Sequence, residues 1–243
     1  MAFEAIQTAL RVVYPPRCTL CGGLVESEFG LCGPCWRDTP VLAGLVCDLC
    51  GCPLPGEEAG SDARCDDCLR VARPWQKGRA ALIYKDNARK LVLALKHGDR
   101  HDVVPLAATW MKGAAAPLMV PECLFVPVPL HWTRLLKRRF NQSALLAQAA
   151  AKELNAAWCP DVLKRVRRTP SLDGKGMEAR FATLDAAIRV RKGRRVMIHG
   201  RVVILVDDVM TSGATLAACA GALLAGGAAE VRTLTLARVV KDA

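Results

Sequence analysis

The chain has 243 residues, 52% of them apolar and 23% charged, with a net charge of +11. That apolar fraction excludes a disordered protein, and no uninterrupted apolar run approaches the roughly 18 residues of a membrane-spanning helix. The charge is concentrated: residues 131–201 hold 17 Lys/Arg against 5 Asp/Glu, which implies either a polyanionic ligand (a phosphorylated small molecule or nucleic acid) or a solvated basic face.

In chain order, residues 1–16 are expected to form a short helix stopped by Pro15-Pro16. This segment lacks a basic leader and an apolar run ending in a small-residue cleavage site, so the expected location is the cytoplasm. The cysteines come next. Eight of the twelve fall into four Cys-x-x-Cys pairs: Cys18/Cys21, Cys32/Cys35, Cys47/Cys50 and Cys65/Cys68. The spacing lets two thiolates on one tight turn reach a single ion, and two such turns complete a tetrahedral four-sulfur shell of the kind that holds Zn²⁺. Gly22 and Gly51 directly follow the second cysteine of a pair, where such turns need a positive φ. Sequential pairing gives Cys18/Cys21/Cys32/Cys35 and Cys47/Cys50/Cys65/Cys68; the spacing alone does not exclude interleaved pairing. Cys52 is a spare next to the second set, and Cys123, Cys159 and Cys219 stand in apolar contexts as core residues. A site closed by four thiolates is structural, because no position is left for water or substrate.

Beyond about residue 70 the pattern is that of an α/β domain. A short apolar strand at 79–84 precedes a helix at 87–96 that ends near Gly98, and a second helix covers 104–116. A buried strand at 124–129 leads into the basic stretch 131–139, followed by a helix over 143–154 and a linker-like segment at 164–180. A wholly apolar strand at 202–206, a helix at 215–224 broken by Gly226-Gly227, and a closing strand at 230–236 complete the chain. Strands alternating with helices predict a mostly parallel, Rossmann-like sheet with helices on both faces. The domain plan is therefore an N-terminal helix (1–16), a zinc-ribbon module (17–70) and an α/β domain (71–243).

Residues 202–215, Val-Val-Ile-Leu-Val-Asp-Asp-Val-Met-Thr-Ser-Gly-Ala-Thr, carry the chemistry. Asp207 and Asp208 lie at the C-terminal end of a central strand, where open α/β sheets bind ligands. Thr211, Ser212, Gly213, Ala214 and Thr215 then turn into a helix, whose small residues and N-terminal dipole favour an anion. Two acids beside an anion site are contradictory unless the ligand is a sugar phosphate, with the acids accepting hydrogen bonds from ribose hydroxyls while the loop holds a 5-phosphate. The Walker order Gly-x-x-x-x-Gly-Lys is absent.

This string resembles the phosphoribosyl-pyrophosphate signature of type I phosphoribosyltransferases, and the wider chain resembles the ComF family, late-competence proteins that join a double zinc ribbon to such a domain. Tyr-Pro-Pro-Arg-Cys at 14–18, Leu-Lys-His-Gly-Asp at 95–99, Val-Pro-Val-Pro-Leu-His at 126–131, Arg138-Arg139-Phe140-Asn141-Gln142 and Leu-Thr-Leu-Ala-Arg at 234–238 also match. The resemblance implies a type I phosphoribosyltransferase-like α/β fold preceded by a small zinc-ribbon module with four-cysteine sites. It further implies that Arg134, Arg138 and Arg139 bind pyrophosphate, that Mg²⁺ accompanies phosphoribosyl pyrophosphate, that residues 164–183 are the counterpart of a lid, and that the function is linked to DNA uptake. Two departures stand out. The family's lid carries Gln and Asn where this chain has Leu172 and Thr183, and purine-salvage relatives place an acid where this chain has Thr211. Two functional classes follow: transfer of ribose 5-phosphate to an acceptor that the sequence does not identify, or a non-catalytic adaptor contacting single-stranded DNA or a DNA-uptake helicase.

Overall fold

The computed structural model describes residues 14–56, 62–97, 100–167 and 187–240, without the Lys137 side chain. The expected helix at 1–16 and most of the lid segment, including Leu172 and Thr183, lie outside the described residues.

The α/β part is built on a five-stranded parallel sheet: β1 (Lys77–Ile83), β2 (Leu124–Pro127), β3 (Ala157–Trp158), and two nine-residue strands that follow later in the chain. A separate antiparallel pair, β4 (Leu163–Arg165) and β5 (Ile188–Val190), precedes them; β6 is Val202–Met210 and β7 is Glu230–Arg238. The spatial order is β1-β7-β6-β2-β3. β6 is thus central, hydrogen-bonded on both sides, and residues 203–206 are buried, as its apolar run requires.

Both faces are covered. On one, helices α3 (Asp86–His97), α4 (Val103–Ala115) and α6 (Gln142–Glu153) pack Leu91, Leu95, Met111 and Leu146 against Leu82, Phe125, Ile204 and Leu236. On the other, helix α8 (Ala214–Ala225) packs Leu216, Cys219 and Leu223 against Val203, Leu205 and Val231. Cys47, Cys50 and Cys68 belong to this second core, together with Trp75. One cysteine tetrad is therefore built into the interior of the α/β domain.

The cysteine segment also closes a sheet edge. Residues 40–48 run beside β1, with Leu42 N–H donating to the Ala81 carbonyl (2.9 Å), Ile83 N–H to Pro40 (2.9 Å) and Gly78 N–H to Asp48 (2.7 Å). These bonds satisfy the outer row of backbone groups that an edge strand otherwise exposes.

Several segments depart from the sequence-based expectation: β6 continues past residue 206 through Asp207 and Asp208 to Met210, and β3 and β5 are additional short strands. The basic stretch 131–139 is a short helix, α5 (Trp132–Arg138), capped by His131, whose Nδ1 accepts from the Thr133 N–H at 3.4 Å. The start of the linker-like segment is strand β4, paired with β5 through Lys164↔Arg189. Among the described residues no helix is long and apolar enough to cross a membrane.

Candidate functional site

The four Cys-x-x-Cys turns assemble sequentially. Cys18, Cys21, Cys32 and Cys35 form one group and Cys47, Cys50, Cys65 and Cys68 the other, with the ligand atoms of each within 4.8 Å of one another. Sulfur separations of 3.6 Å (Cys21–Cys32 and Cys50–Cys65) approach the roughly 3.8 Å edge of a tetrahedron with Zn–S near 2.3 Å. Gly22 and Gly51 adopt φ of 74° and 69°, as the turns require. The donor set and its spacing fit structural Zn²⁺. The two groups differ in setting: Cys21 is exposed and Cys32 and Cys35 half-buried, whereas Cys47, Cys50 and Cys68 are buried. Cys52 lies beside Cys50, whose thiol pushes that of Cys52 upward, as does burial.

At the C-terminal ends of the central strands the chain leaves a cavity of about 390 Å³. Its walls carry Asp207 and Asp208 from β6, Lys96 from α3, Arg134 and Arg138 from α5, Ser143 from α6, Arg165 from β4 and Thr215 from α8. Four cations face two carboxylates, so the cavity favours an anion. Arg134 and Arg138 are four residues apart on one helix and share a face. Arg165 is held opposite them. Burial, and then the like charge of Arg134, pull its guanidinium below the ordinary value. The Asp207 charge works the other way and favours the guanidinium.

The acids are held in unequal states. Asp207 Oδ1 accepts from Ser143 Oγ at 2.8 Å and from the Asp208 N–H at 2.9 Å. Burial, and then the adjacent Asp208 charge, push the Asp207 carboxyl up to about 7. Asp208 is buried, with Oδ1 3.3 Å from Lys96 Nζ and Oδ2 buried without a hydrogen-bond partner. A buried carboxylate oxygen with open lone pairs beside the cavity suits a ribose hydroxyl or a hydrated Mg²⁺. Ser143 is fixed in turn by Asn141, which caps α6 by accepting the Ser143 N–H at 3.1 Å and ties that helix to β2 through Nδ2 and the Val128 carbonyl at 3.0 Å.

The loop 211–213 turns tightly into α8. Gly213, the residue before the helix, has φ +82°, and Ser212 Oγ accepts the Ala214 N–H at 3.4 Å. A Cβ on Gly213 would lie 2.7 Å from Met210 Cε and 2.8 Å from Arg73 Nη1, so the ends of both side chains would have to shift, and the positive φ itself favours glycine.

The structure thus brings Arg134, Arg138, Asp207, Asp208 and Thr215 around one cavity, with Thr211, Ser212, Gly213 and Ala214 forming the adjoining turn. Arg139 does not line the cavity. It is exposed at the end of α5, with φ +63°. No local sequence pattern points to a role for Lys96, Ser143 or Arg165. Lys96 stood in a matched motif, but nothing local connected it to residue 208.

Comparison with known proteins adds the following. The family described as "Double zinc ribbon domain" matches residues 9–69, and the one described as "Phosphoribosyl transferase domain" matches residues 141–242. The chain is 32% identical over 233 residues to the DNA utilization protein YhgH of Salmonella typhimurium, covering 93% of this chain and 98% of that protein. It is 28% identical to competence protein F of Haemophilus influenzae (91% and 96% covered) and 25% identical to competence protein ComFC of Bacillus subtilis (88% and 87%).

Proposed function

Because the chain belongs to the ComF family, with a double zinc ribbon and a phosphoribosyl transferase domain, we propose that its cavity binds phosphoribosyl pyrophosphate together with Mg²⁺. The observation that carries this reading is the pairing of two carboxylates on β6 with four cations around one cavity, beside a tight glycine turn that leads into α8. Neither a bare phosphate nor a neutral sugar needs both halves. A ribose carrying a 5-phosphate and a pyrophosphate needs each of them.

In this reading the 211–215 turn and the N-terminus of α8 take the 5-phosphate. Asp207 and Asp208 accept hydrogen bonds from the vicinal ribose hydroxyls. Arg134, Arg138 and Arg165 face the pyrophosphate, where planar forked donors match its oxygens. When bound, Mg²⁺ would neutralise pyrophosphate charge, and the Asp208 carboxylate would hold it directly or through water. The reaction class is transfer of ribose 5-phosphate: the C1–pyrophosphate bond breaks, and a bond from C1 to the acceptor's nucleophilic atom forms. Thr211 has no carboxyl with which to take a proton from that acceptor, which favours a nucleophile able to react without a base at this position.

Calorimetry with phosphoribosyl pyrophosphate and Mg²⁺ tests the reading. Micromolar binding by the unmodified protein, lost in the double variant Asp207→Ala/Asp208→Ala, is the expected result; no binding by the unmodified protein would refute it. Pyrophosphate release from a metabolite pool would then identify the acceptor.

A second reading, contact with single-stranded DNA, draws on β4 and β5. Lys164 and Arg189 are opposed across the strands and both exposed, a like-charge pair that costs stability unless an anion lies over it. The relatives named for DNA utilization and competence point the same way. A log–log plot of affinity against salt should fall steeply and become shallower in Lys164→Ala/Arg189→Ala. A flat response in the unmodified protein would exclude it.

A further inference from the structure

We infer that Arg73 and Arg238 are positioning residues that couple the second cysteine tetrad to the 210–213 turn, so that metal in the tetrad and phosphate in the turn support one another. The inference rests on the proposed ribose-phosphate reading of that turn.

Three consecutive backbone carbonyls of the turn are held from the tetrad's side. Arg238 Nη1 donates to the carbonyls of Met210 at 3.2 Å and Thr211 at 2.6 Å, and Arg73 Nη1 donates to that of Ser212 at 2.8 Å. In a trans peptide the carbonyl of one residue and the N–H of the next point in opposite directions, and there are no cis peptides among the described residues. Turning these carbonyls toward the arginines therefore turns the N–H groups of residues 211–213 the other way. Successive N–H groups on one side of a tight turn form an anion-binding concavity. The arginines thus set the polarity of the turn without touching the ligand.

Both arginines are anchored in the tetrad. Arg73 lies over the Trp75 ring, 5.5 Å from its centroid, and Trp75 Nε1 donates to the Leu49 carbonyl, between Cys47 and Cys50, at 2.6 Å. Arg238 Nη2 is 3.9 Å from Asp67 Oδ2, on the short helix α2 (Asp66–Arg70) between Cys65 and Cys68. Arg238 is buried, and Arg73 Nε and Nη2 are buried without a hydrogen bond. Four thiolates around a divalent cation carry a net charge of about −2, which is the counter-charge these desolvated guanidiniums require. Only Cys68 is buried among the five residues of α2, so the helix has little core of its own to hold Asp67 in place without the metal. The first tetrad is tied elsewhere, through Asn87 Nδ2 to the Cys35 carbonyl (3.1 Å) and Arg100 Nη2 to that of Thr19 (2.8 Å).

The test uses the full-length zinc-loaded protein, Arg73→Met, Cys68→Ser and Cys21→Ser. Amide exchange is followed across residues 209–217, where the Ala217 N–H is bonded to the Gly213 carbonyl. Arg73→Met and Cys68→Ser should exchange this segment at least about tenfold faster and weaken phosphoribosyl pyrophosphate binding by a similar factor, while Cys21→Ser does neither. By reciprocity, phosphoribosyl pyrophosphate with Mg²⁺ should slow chelator-driven loss of one of the two zinc ions in the unmodified protein but not in Arg73→Met. Should Cys68→Ser fail to fold, Arg73→Met alone decides. Unchanged exchange in a folded Arg73→Met overturns the coupling, whatever the ligand. Faster exchange in Arg73→Met, with no ligand binding even by the unmodified protein, supports the coupling and refutes the ligand reading instead.

Discussion

Ser143 Oγ donates to Asp207 Oδ1 at 2.8 Å, joining the first turn of α6 to β6. This bond opposes burial and the Asp208 charge, which together raise the Asp207 carboxyl to about 7. Asp207 is therefore divided between protonated and ionised forms near neutral pH, and a ligand presenting hydroxyls or a cation selects the ionised form. Binding of phosphoribosyl pyrophosphate with Mg²⁺ should strengthen as pH rises through about 7, by up to roughly tenfold per unit on the acid side, with proton release. Ser143→Ala removes a bond that lowers the Asp207 value, so the midpoint should move upward. Calorimetry in buffers of differing ionisation enthalpy reads the proton count. The ligand's own phosphates also titrate, so the control is Asp207→Asn, in which the protein's share of the pH dependence should vanish.

The same shift has a consequence for stability with a definite sign. An acid raised from 3.8 unfolded to about 7 folded keeps a proton in the native state that the unfolded chain releases. Its penalty is absent below pH 3.8, grows as pH rises to about 7, and is complete above that. Asp207→Asn should therefore stabilise the ligand-free protein at pH 8 by about 1–3 kcal/mol and leave stability near pH 4 little changed. Urea unfolding at the two pH values measures the difference. A destabilised Asp207→Asn at pH 8 would mean that the carboxyl is not strained in the folded state.

The arginines should divide by position rather than by their proximity in sequence. Arg134→Ala, Arg138→Ala and Arg165→Ala each remove a cavity-lining guanidinium and should weaken phosphoribosyl pyrophosphate binding by about ten- to a hundredfold, the worth of a charge-assisted contact. Arg139 is exposed at the end of α5 and adopts φ +63°, so Arg139→Gly keeps the backbone conformation and should change affinity by no more than about threefold. Lysine in place of Arg165 keeps the charge but not the planar fork, and should restore only part of the affinity.

Much of this arrangement is visible in the sequence, for identifiable reasons. The cysteine pairs and the Asp207-Asp208 segment are local signals: spacing alone places two thiolates on one turn, and an apolar run that gives way to acids places both in the C-terminal half of a central strand, which continues to Met210. Helices α3, α4 and α6 follow from apolar periodicity, because each buries one face. The helix α5 does not, because Trp132 and Leu136 are exposed and its basic residues carry no buried stripe. Strand β4 is three residues long and includes Lys164 and Arg165, a composition that reads as linker. Lys96 and Arg165 reach the cavity, and Arg73 and Arg238 the adjoining turn, from four places far apart in sequence. Their roles depend on parallel register and on the docking of the second tetrad against the sheet, neither of which leaves a local pattern.

Gly213 offers the last separable prediction. Its φ of +82° strains any L side chain, and a Cβ would also stand 2.7 Å from Met210 Cε and 2.8 Å from Arg73 Nη1. Gly22 has a similar φ, +74°, with nothing within 4 Å of a Cβ. Gly22→Ala should therefore cost about 1 kcal/mol, the conformational penalty alone. Gly213→Ala adds close contacts that the ends of Met210 and Arg73 relieve by shifting, and should cost about 1–3 kcal/mol. Urea unfolding gives both values, and their difference isolates the contact with Met210 and Arg73. Relief of the clash displaces Arg73 from the Ser212 carbonyl, so Gly213→Ala should also lose phosphate affinity, measured by calorimetry, while Gly22→Ala retains it. Equal costs for the two substitutions would show that Met210 and Arg73 yield freely, and that the turn is not clamped from the tetrad's side.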